Sequence, residues 1–343
     1  MNRLKLSKFI APSLGSFLLL TIFLFFNIAA FSQDYKVVKA QSGDGIYSLL
    51  KRYGLSPSEY LNPFIELNRE KLGKGNSLIV GRTYRLPVES VTAGSVSGAT
   101  RSYSIFGNKY KDVTIKDNQL DGAVYYLVSG HGGPDPGAIG TLNNHILCED
   151  EYAYDVTLRL ARNLIEHGAI VYMITRDTND GIRDENYLKA DKDERCYPNL
   201  YMPRNQTARL RQRKDAVNSL YMRNKGKFQR LVIIHVDSRS RGENIDVFFY
   251  HDKRSTSGRK MAYTLQQTFA DKYAEHQPSR GYQGSVSTRN LYVLKYSYPV
   301  AVFIELGNIN HYRDQLRFII PDNRQALANW LSDGLVSDYK HNR

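Results

Sequence analysis

The stretch VYYLVSGHGGPDPGAIG, residues 124–140, decides the fold of the larger part of this chain. It starts as a short apolar run of branched and aromatic residues, typical of a buried strand, and then changes to a glycine-rich loop that contains His131. Alternating strands and helices predict a three-layer α/β domain around a largely parallel twisted sheet. The further strand-like runs lie at 169–174, 231–235, 245–250 and 300–306, and amphipathic helical segments lie at 150–167, 258–273 and 322–339.

Polar side chains stand where these predicted strands end, which is where α/β sheets collect their ligands. His131 follows the first strand, His235 ends the run 231–235, and Glu305 lies near the end of the last run. Glu149 starts the long helix after the first loop. Two histidines and one carboxylate in such places predict a zinc site with one position left for water, and a further carboxylate would take the proton from that water.

The same segments resemble a known family. Residues 124–140, the helix that opens at Glu149, and the segments 168–177, 231–238 and 299–307 match, in order, the zinc-dependent N-acetylmuramoyl-L-alanine amidases of the amidase-3 type. The resemblance implies Zn²⁺ as cofactor, with His131, Glu149 and His235 as its ligands and Glu305 as the catalytic carboxylate. The implied substrate is the amide that joins N-acetylmuramic acid to the L-alanine of the peptidoglycan stem peptide.

Several alternatives stay open at this point. Glu151 rivals Glu149 as a ligand, although the spacing back from Gly168 favours Glu149, and His145 could also reach a metal from its loop. Asp135 is expected to stabilise the turn after the first strand. For the whole protein, the alternatives are a catalytically inactive wall-binding or regulatory protein and a zinc peptidase that cuts within the stem peptide. The chain lacks the HExxH pattern of thermolysin-like peptidases.

A smaller α+β module with the predicted order strand, helix, helix, strand precedes this domain. It resembles a LysM domain over residues 34–88, through Gly43-Asp44, Tyr53-Gly54 and the segments 77–81 and 84–87. The resemblance implies binding of peptidoglycan glycan strands, and the alternative is a folded spacer without sugar affinity. The residues of the implied glycan groove are Gly43, Asp44, Gly45, Ile46, Leu78, Ile79, Val80 and Gly81.

The first 32 residues have the layout of a secretory signal peptide. Basic residues precede an apolar run at 17–30, and a small-x-small pattern ends at Ser32. A membrane anchor is less favoured, because the run is shorter than the roughly 20 residues that a spanning helix needs. The expected organisation is a signal peptide at 1–32, a LysM domain at 34–88, a linker at 89–104 and a catalytic domain at 105–343. The mature protein would be exported to the periplasm or cell wall, without a stable membrane span.

Charge and cysteine content narrow the choice of partners. The formal net charge is +13, and loss of the first 32 residues leaves +10. Such a charge suggests an anionic partner, and export argues against nucleic acid. Peptidoglycan is the partner that the family resemblance implies, and an activator protein is unknown from the sequence. Cys148 and Cys196 are too few for a disulfide scaffold, although a bond between them is permissible in an oxidising compartment.

The charged segment 178–204 lies outside the family motifs and is expected to be either a binding loop or a solvated insertion.

Overall fold

The computed structural model describes residues 35–343 except 54, 56, 88–90, 93–96 and 240, so the expected signal peptide lies outside the described residues. Within this part, no helix has the length and apolar character needed to cross a membrane. The strands are β1 Tyr35–Lys39, β2 Thr83–Pro87, β3 Val91–Thr92, β4 Thr100–Ser102, β5 Asp112–Thr114, β6 Ala123–Ser129, β7 Ile139–Leu142, β8 His145–Cys148, β9 Ile170–Met173, β10 Thr175–Arg176, β11 Arg195–Cys196, β12 Leu200–Tyr201, β13 Phe228–Asp237, β14 Phe248–His251, β15 Val286–Thr288 and β16 Val300–Asn308. The helices are α1 Ile46–Arg52, α2 Pro57–Asn68, α3 Gly107–Tyr110, α4 Glu149–Glu166, α5 Gln206–Arg223, α6 Thr256–His276, α7 Tyr292–Tyr296, α8 Tyr312–Ile319 and α9 Pro321–Asn342.

A seven-stranded sheet forms the centre of the larger domain, with the strand order β15-β14-β16-β13-β6-β9-β3. The four central strands, β16, β13, β6 and β9, are parallel, whereas β14 and β3 pair antiparallel to their inner neighbours. The α/β class is therefore confirmed, but the sheet is mixed, and the predicted parallel arrangement holds for its centre. The run 245–250 does not extend the parallel series, because β14 pairs antiparallel with β16.

Helices cover both faces of the sheet, so the domain has three layers. Along β6, Tyr125 and Leu127 belong to the cluster on the side of α4, α6 and α9, whereas Val124 and Tyr126 belong to the cluster on the side of α5 and α7. This alternation follows from the period of two in a strand, and burial on both faces explains why the run is apolar throughout.

The segment 89–104, expected to be a linker, is partly sheet where it is described. Val91 and Thr92 pair with β9 at the edge of the large sheet, and β4 pairs with β5. A pairing of two residues is too short to show a period in the sequence.

The segment 178–204 is packed against the domain and is not a solvated insertion. Its strands β11 and β12 form a small sheet with β10. Five of its apolar side chains are buried, namely Ile182, Leu188, Cys196, Tyr197 and Met202, whereas Leu200 and Tyr201 are exposed. Cys148 and Cys196 are both buried free thiols, so the permissible disulfide is absent from the structure.

Residues 35–87 form a separate small core. Strands β1 and β2 pair antiparallel, with Val38 opposite Tyr84, and α1 and α2 lie between them in the chain. Leu49, Leu50 and Phe64 from the two helices pack with Val38 and Tyr84. The described order is strand, helix, helix, strand.

Candidate active site

His131, Glu149 and His235 meet at the ends of parallel strands. His131 Nε2 lies 3.3 Å from Glu149 Oε2, and His235 Nδ1 lies 2.7 Å from Glu149 Oε1. One ligand atom from each residue lies within 4.8 Å of those of the other two. Two imidazole nitrogens and one carboxylate oxygen are a common donor set for catalytic zinc, whose tetrahedral ligands at about 2.05 Å lie roughly 3.3 Å apart. The residues therefore fit a zinc ion with one coordination position open.

The backbone brings these three side chains together through tight approaches. The Gly130 N–H donates to Ile234 O at 2.7 Å, which holds the loop after β6 against β13. A Cβ on Gly130 would lie 2.4 Å from the His235 ring, so glycine is required for this approach. His131 itself has a φ of 54°, a left-handed conformation that non-glycine residues seldom adopt and that is found at functional sites.

Glu149 is held by backbone donors as well as by the histidines. Its Oε2 accepts from the Ala138 N–H at 2.8 Å, and its Oε1 accepts from the Val236 N–H at 3.0 Å. Burial opposes ionisation of Glu149, but the hydrogen bond and charge of His235, the charge of His131 and the Ala138 N–H together lower its pKa. Burial also lowers the pKa of His235, which favours the neutral, metal-binding imidazole.

Asp135 has a larger part in the site than the sequence indicated. Its Oδ1 accepts from the Gly137 N–H at 3.2 Å, in keeping with the expected turn, while its Oδ2 lies 3.0 Å from His131 Nδ1. The second ring nitrogen of a metal-binding histidine commonly has such a carboxylate partner, which fixes the ring orientation. Arg209 pairs with the same Asp135 oxygen, and Arg213 donates to the His131 carbonyl oxygen. Sequence reasoning missed both arginines.

Glu305 lies beside this group on the neighbouring strand. The register of β13 and β16 places His235 opposite Glu305. The Glu305 side chain is 6% exposed, and its Oε2 has no hydrogen-bond partner among the described residues. Burial, followed by the charges of Glu149 and Asp237, raises its pKa well above the usual value. A buried carboxylate oxygen without a partner is available to a reacting molecule.

The alternative ligands lie elsewhere. Glu151 pairs with Arg183 at 2.9 Å, and it accepts from the Asp191 N–H at 2.9 Å. The His145 ring stacks on Tyr187, with 3.7 Å between ring centroids. Neither residue belongs to the group of His131, Glu149 and His235.

In the small module, one of the two loops expected to bind glycan is hydrogen-bonded to the end of the first strand. The Gly81 N–H donates to Ala40 O at 2.9 Å, which joins the loop 78–81 to the end of β1. Ile79 and Val80 are exposed, as is Tyr47 on α1. Ile46, expected in the groove, is instead buried and contributes to the core of the module.

The fold and the site define an α/β protein with a candidate mononuclear metal centre at the carboxyl ends of its parallel strands. Residues 126–337 match the family Amidase_3, N-acetylmuramoyl-L-alanine amidase. This match covers more than half of the chain, and the chain belongs to this family.

The individual relatives have low sequence identity to this chain. The probable cell wall amidase LytH of Staphylococcus aureus is 27% identical over 229 residues, which are 65% of this chain and 61% of the relative. The chain therefore spans about three fifths of that relative's length. The crystal structure of an N-acetylmuramoyl-L-alanine amidase from Clostridium difficile 630 is 20% identical, with 65% of this chain and 100% of that chain covered and a TM-score of 0.47. The CwlD amidase of Clostridioides difficile, solved with the GerS lipoprotein, is 18% identical, with 64% and 99% covered and a TM-score of 0.48.

Proposed function

We propose that this protein is a zinc-dependent peptidoglycan hydrolase that cleaves the amide between N-acetylmuramic acid and the L-alanine of the stem peptide. The observation that carries the proposal is the convergence of His131, Glu149 and His235, with the unpartnered buried oxygen of Glu305 on the adjacent strand. Membership of the N-acetylmuramoyl-L-alanine amidase family supports the choice of substrate.

Each side chain has a distinct task in this reaction. Zinc held by His131, Glu149 and His235 would supply Lewis-acid chemistry, polarising the substrate carbonyl and acidifying water. Glu305 accepts the proton of the attacking water at Oε2 and returns it to the L-alanine nitrogen, which leaves as a free amine. Asp135 holds the His131 ring through Nδ1, so that Nε2 points to the shared centre.

Residues 34–88 act as a LysM anchor in this proposal, and the protein works outside the cytoplasm on the wall. The exposed apolar side chains of Tyr47, Ile79 and Val80 offer contact area to sugar rings. The net charge of +10 that remains after signal cleavage provides a general attraction to an anionic envelope.

A digest of purified muropeptides tests the activity. The zinc-loaded mature protein is expected to release peptides whose new amino terminus is L-alanine, detected by amine labelling and mass spectrometry. A new terminus at another stem-peptide residue would identify a peptidase instead. The absence of cleavage by zinc-loaded protein would favour the inactive wall-binding alternative.

A sedimentation assay with intact sacculi tests the anchor. Ile79→Asp places a charge on the expected sugar-binding surface and should reduce the fraction of protein that sediments with sacculi. Turnover of soluble muropeptides should stay unchanged. The control is Met222→Asp, which replaces another exposed apolar side chain, on α5 of the larger domain. Equal sedimentation of both variants would contradict the anchoring role.

A further inference from the structure

A second group of acidic side chains lies next to the proposed zinc ligands. Asp150 and Glu151 occupy the first turn of α4, directly after Glu149, and Glu194 reaches them from the segment 178–204. One carboxylate oxygen from each of Asp150, Glu151 and Glu194 lies within 4.8 Å of the others. All three residues are at most 3% exposed. Buried carboxylates this close to one another repel strongly unless a cation or protons compensate them.

Asp150 has one buried carboxylate oxygen that no hydrogen bond from the described part of the chain satisfies. Its Oδ1 accepts from the Glu151 N–H at 3.0 Å, but its Oδ2 is buried without a hydrogen-bond partner among the described residues. Asp150 is 2% exposed, so bulk water does not supply that partner. An ionised carboxylate accepts hydrogen bonds or binds cations and donates nothing, so the free oxygen fits a positively charged ligand.

Further acidic residues extend the group. Oxygens of Asp177 and Asp191 lie within 4.8 Å of an oxygen of Glu194. Arg183 forms an ion pair with Glu151 in this group. Arg183 also pairs with Asp180, so its single charge is shared. The five carboxylates of Asp150, Glu151, Glu194, Asp177 and Asp191 therefore outnumber the single charge of Arg183.

We infer that Asp150, Glu151 and Glu194 form a second metal site, which binds a divalent cation of the calcium type and ties the segment 178–204 to the start of α4. The donors are all carboxylate oxygens, the set that hard cations prefer, whereas zinc and softer metals favour histidine or cysteine. Calcium accepts six to eight oxygens in flexible geometry, so Asp177 and Asp191 can contribute to the same centre or its surroundings.

The cation would also stabilise the backbone around the proposed zinc ligands without contacting the zinc. Glu194 Oε2 accepts from the Gly133 N–H at 2.5 Å, which connects the acidic group to the loop that carries His131. The same group includes the residues that follow Glu149 on α4. Binding is therefore expected to stabilise the two backbone segments from which His131 and Glu149 project.

Calcium titration of the full mature chain, saturated with zinc beforehand, tests this inference. Isothermal titration calorimetry should show saturable Ca²⁺ binding, and about 100-fold excess over Kd should raise Tm by about 5 °C. Tb³⁺, which replaces Ca²⁺ in oxygen sites, should show luminescence sensitised by tyrosine, since the Tyr154 hydroxyl donates to Asp177 O at 3.5 Å. Glu194→Gln should weaken Ca²⁺ binding at least ten-fold, and Asp150→Asn should do the same.

Two control variants separate this site from its surroundings. Asp184→Asn changes a partly exposed acid of the same segment, which pairs with Lys109, and should keep the affinity within two-fold. His235→Ala should abolish zinc binding and keep calcium binding, so failure of the proposed enzyme function is distinguishable from failure of this site. The absence of saturable Ca²⁺ and Tb³⁺ binding to the wild-type chain would overturn the inference, even if a variant fails to fold. Calcium binding that is lost in His235→Ala but kept in Glu194→Gln would also overturn it.

Discussion

Replacing Glu305 by glutamine should remove nearly all turnover and leave the fold intact. Glutamine keeps the size and shape of the side chain, but its amide cannot accept and return a proton. Loss of a general acid–base group costs about 10²- to 10⁴-fold in rate. We expect the upper part of that range, about 10³-fold or more, which corresponds to roughly 4 kcal/mol of transition-state stabilisation. The structure explains why: the nearby Glu149 and Asp237 carboxylates already have partners, His235 and Arg239 respectively.

Although Glu305→Gln should lose turnover, it should not lose stability. The Glu305 Oε2 has no partner to lose, and burial together with the charges of Glu149 and Asp237 raises the Glu305 pKa well above 4.5. A carboxyl whose pKa is higher in the folded state than in the unfolded state destabilises the fold above the unfolded pKa, because ionisation then favours unfolding. In zinc-free protein, the Tm of Glu305→Gln should therefore equal or exceed that of the wild type. The difference should shrink as the pH falls towards 4.5.

The assay combines three measurements on the same preparations: muropeptide turnover, bound zinc by elemental analysis, and Tm across pH 4.5 to 8. Glu243→Gln is the matched control, since Glu243 is an exposed carboxylate that pairs with Arg239 near the same loop. Turnover by Glu305→Gln within ten-fold of the wild type would remove Glu305 from the role of base. A marked fall in its Tm would show instead that the side chain is structural.

Three further predictions concern zinc loading, the buried ion pairs and the cysteines. Gly137→Ala should lose zinc, because the added Cβ would lie 2.6 Å from Glu149 Oε2. The control is Gly226→Ala, since Gly226 also has a positive φ but no described atom beyond its chain neighbours lies within 4 Å of the added Cβ; this variant should keep full zinc stoichiometry. Asp155→Asn should lower the free energy of unfolding by about 3–5 kcal/mol in urea titrations, because Asp155 Oδ2 pairs with two buried guanidinium groups at 2.7 and 2.6 Å; a loss below 1 kcal/mol would refute this. Burial raises the pKa of the Cys148 thiol to about 11 and that of Cys196 to about 12, so alkylation at pH 8 should be at least about 100-fold slower than in unfolded protein and should accelerate as the pH rises towards 11. Rapid labelling of the folded protein at pH 8 would contradict that burial.

The predictable part of the fold is the part with strong periodicity. The run that predicted a helix at 150–167 corresponds to α4, Glu149–Glu166, because an apolar stripe and Gly168 mark its extent. Helix α5 carried no such signal, since its buried face includes Arg209 and Arg213 beside few apolar residues. Charged side chains that point inwards have the same sequence pattern as charged side chains on a surface. Their contacts with Asp135 and the His131 carbonyl therefore emerge only from the folded chain.

The roles of the three adjacent acids Glu149, Asp150 and Glu151 could not be told apart from the sequence. All three acids lie in the first turn of α4, where the helix dipole favours negative charge, so their presence alone distinguishes none of them. Successive residues of a helix point about 100° apart, and the three side chains accordingly have different neighbours. Glu149 contacts His131 and His235, Asp150 lies beside Glu194, and Glu151 pairs with Arg183. Because two of these neighbours come from the segment 178–204, the folding of that segment decides what the acids beside the proposed zinc ligand can bind.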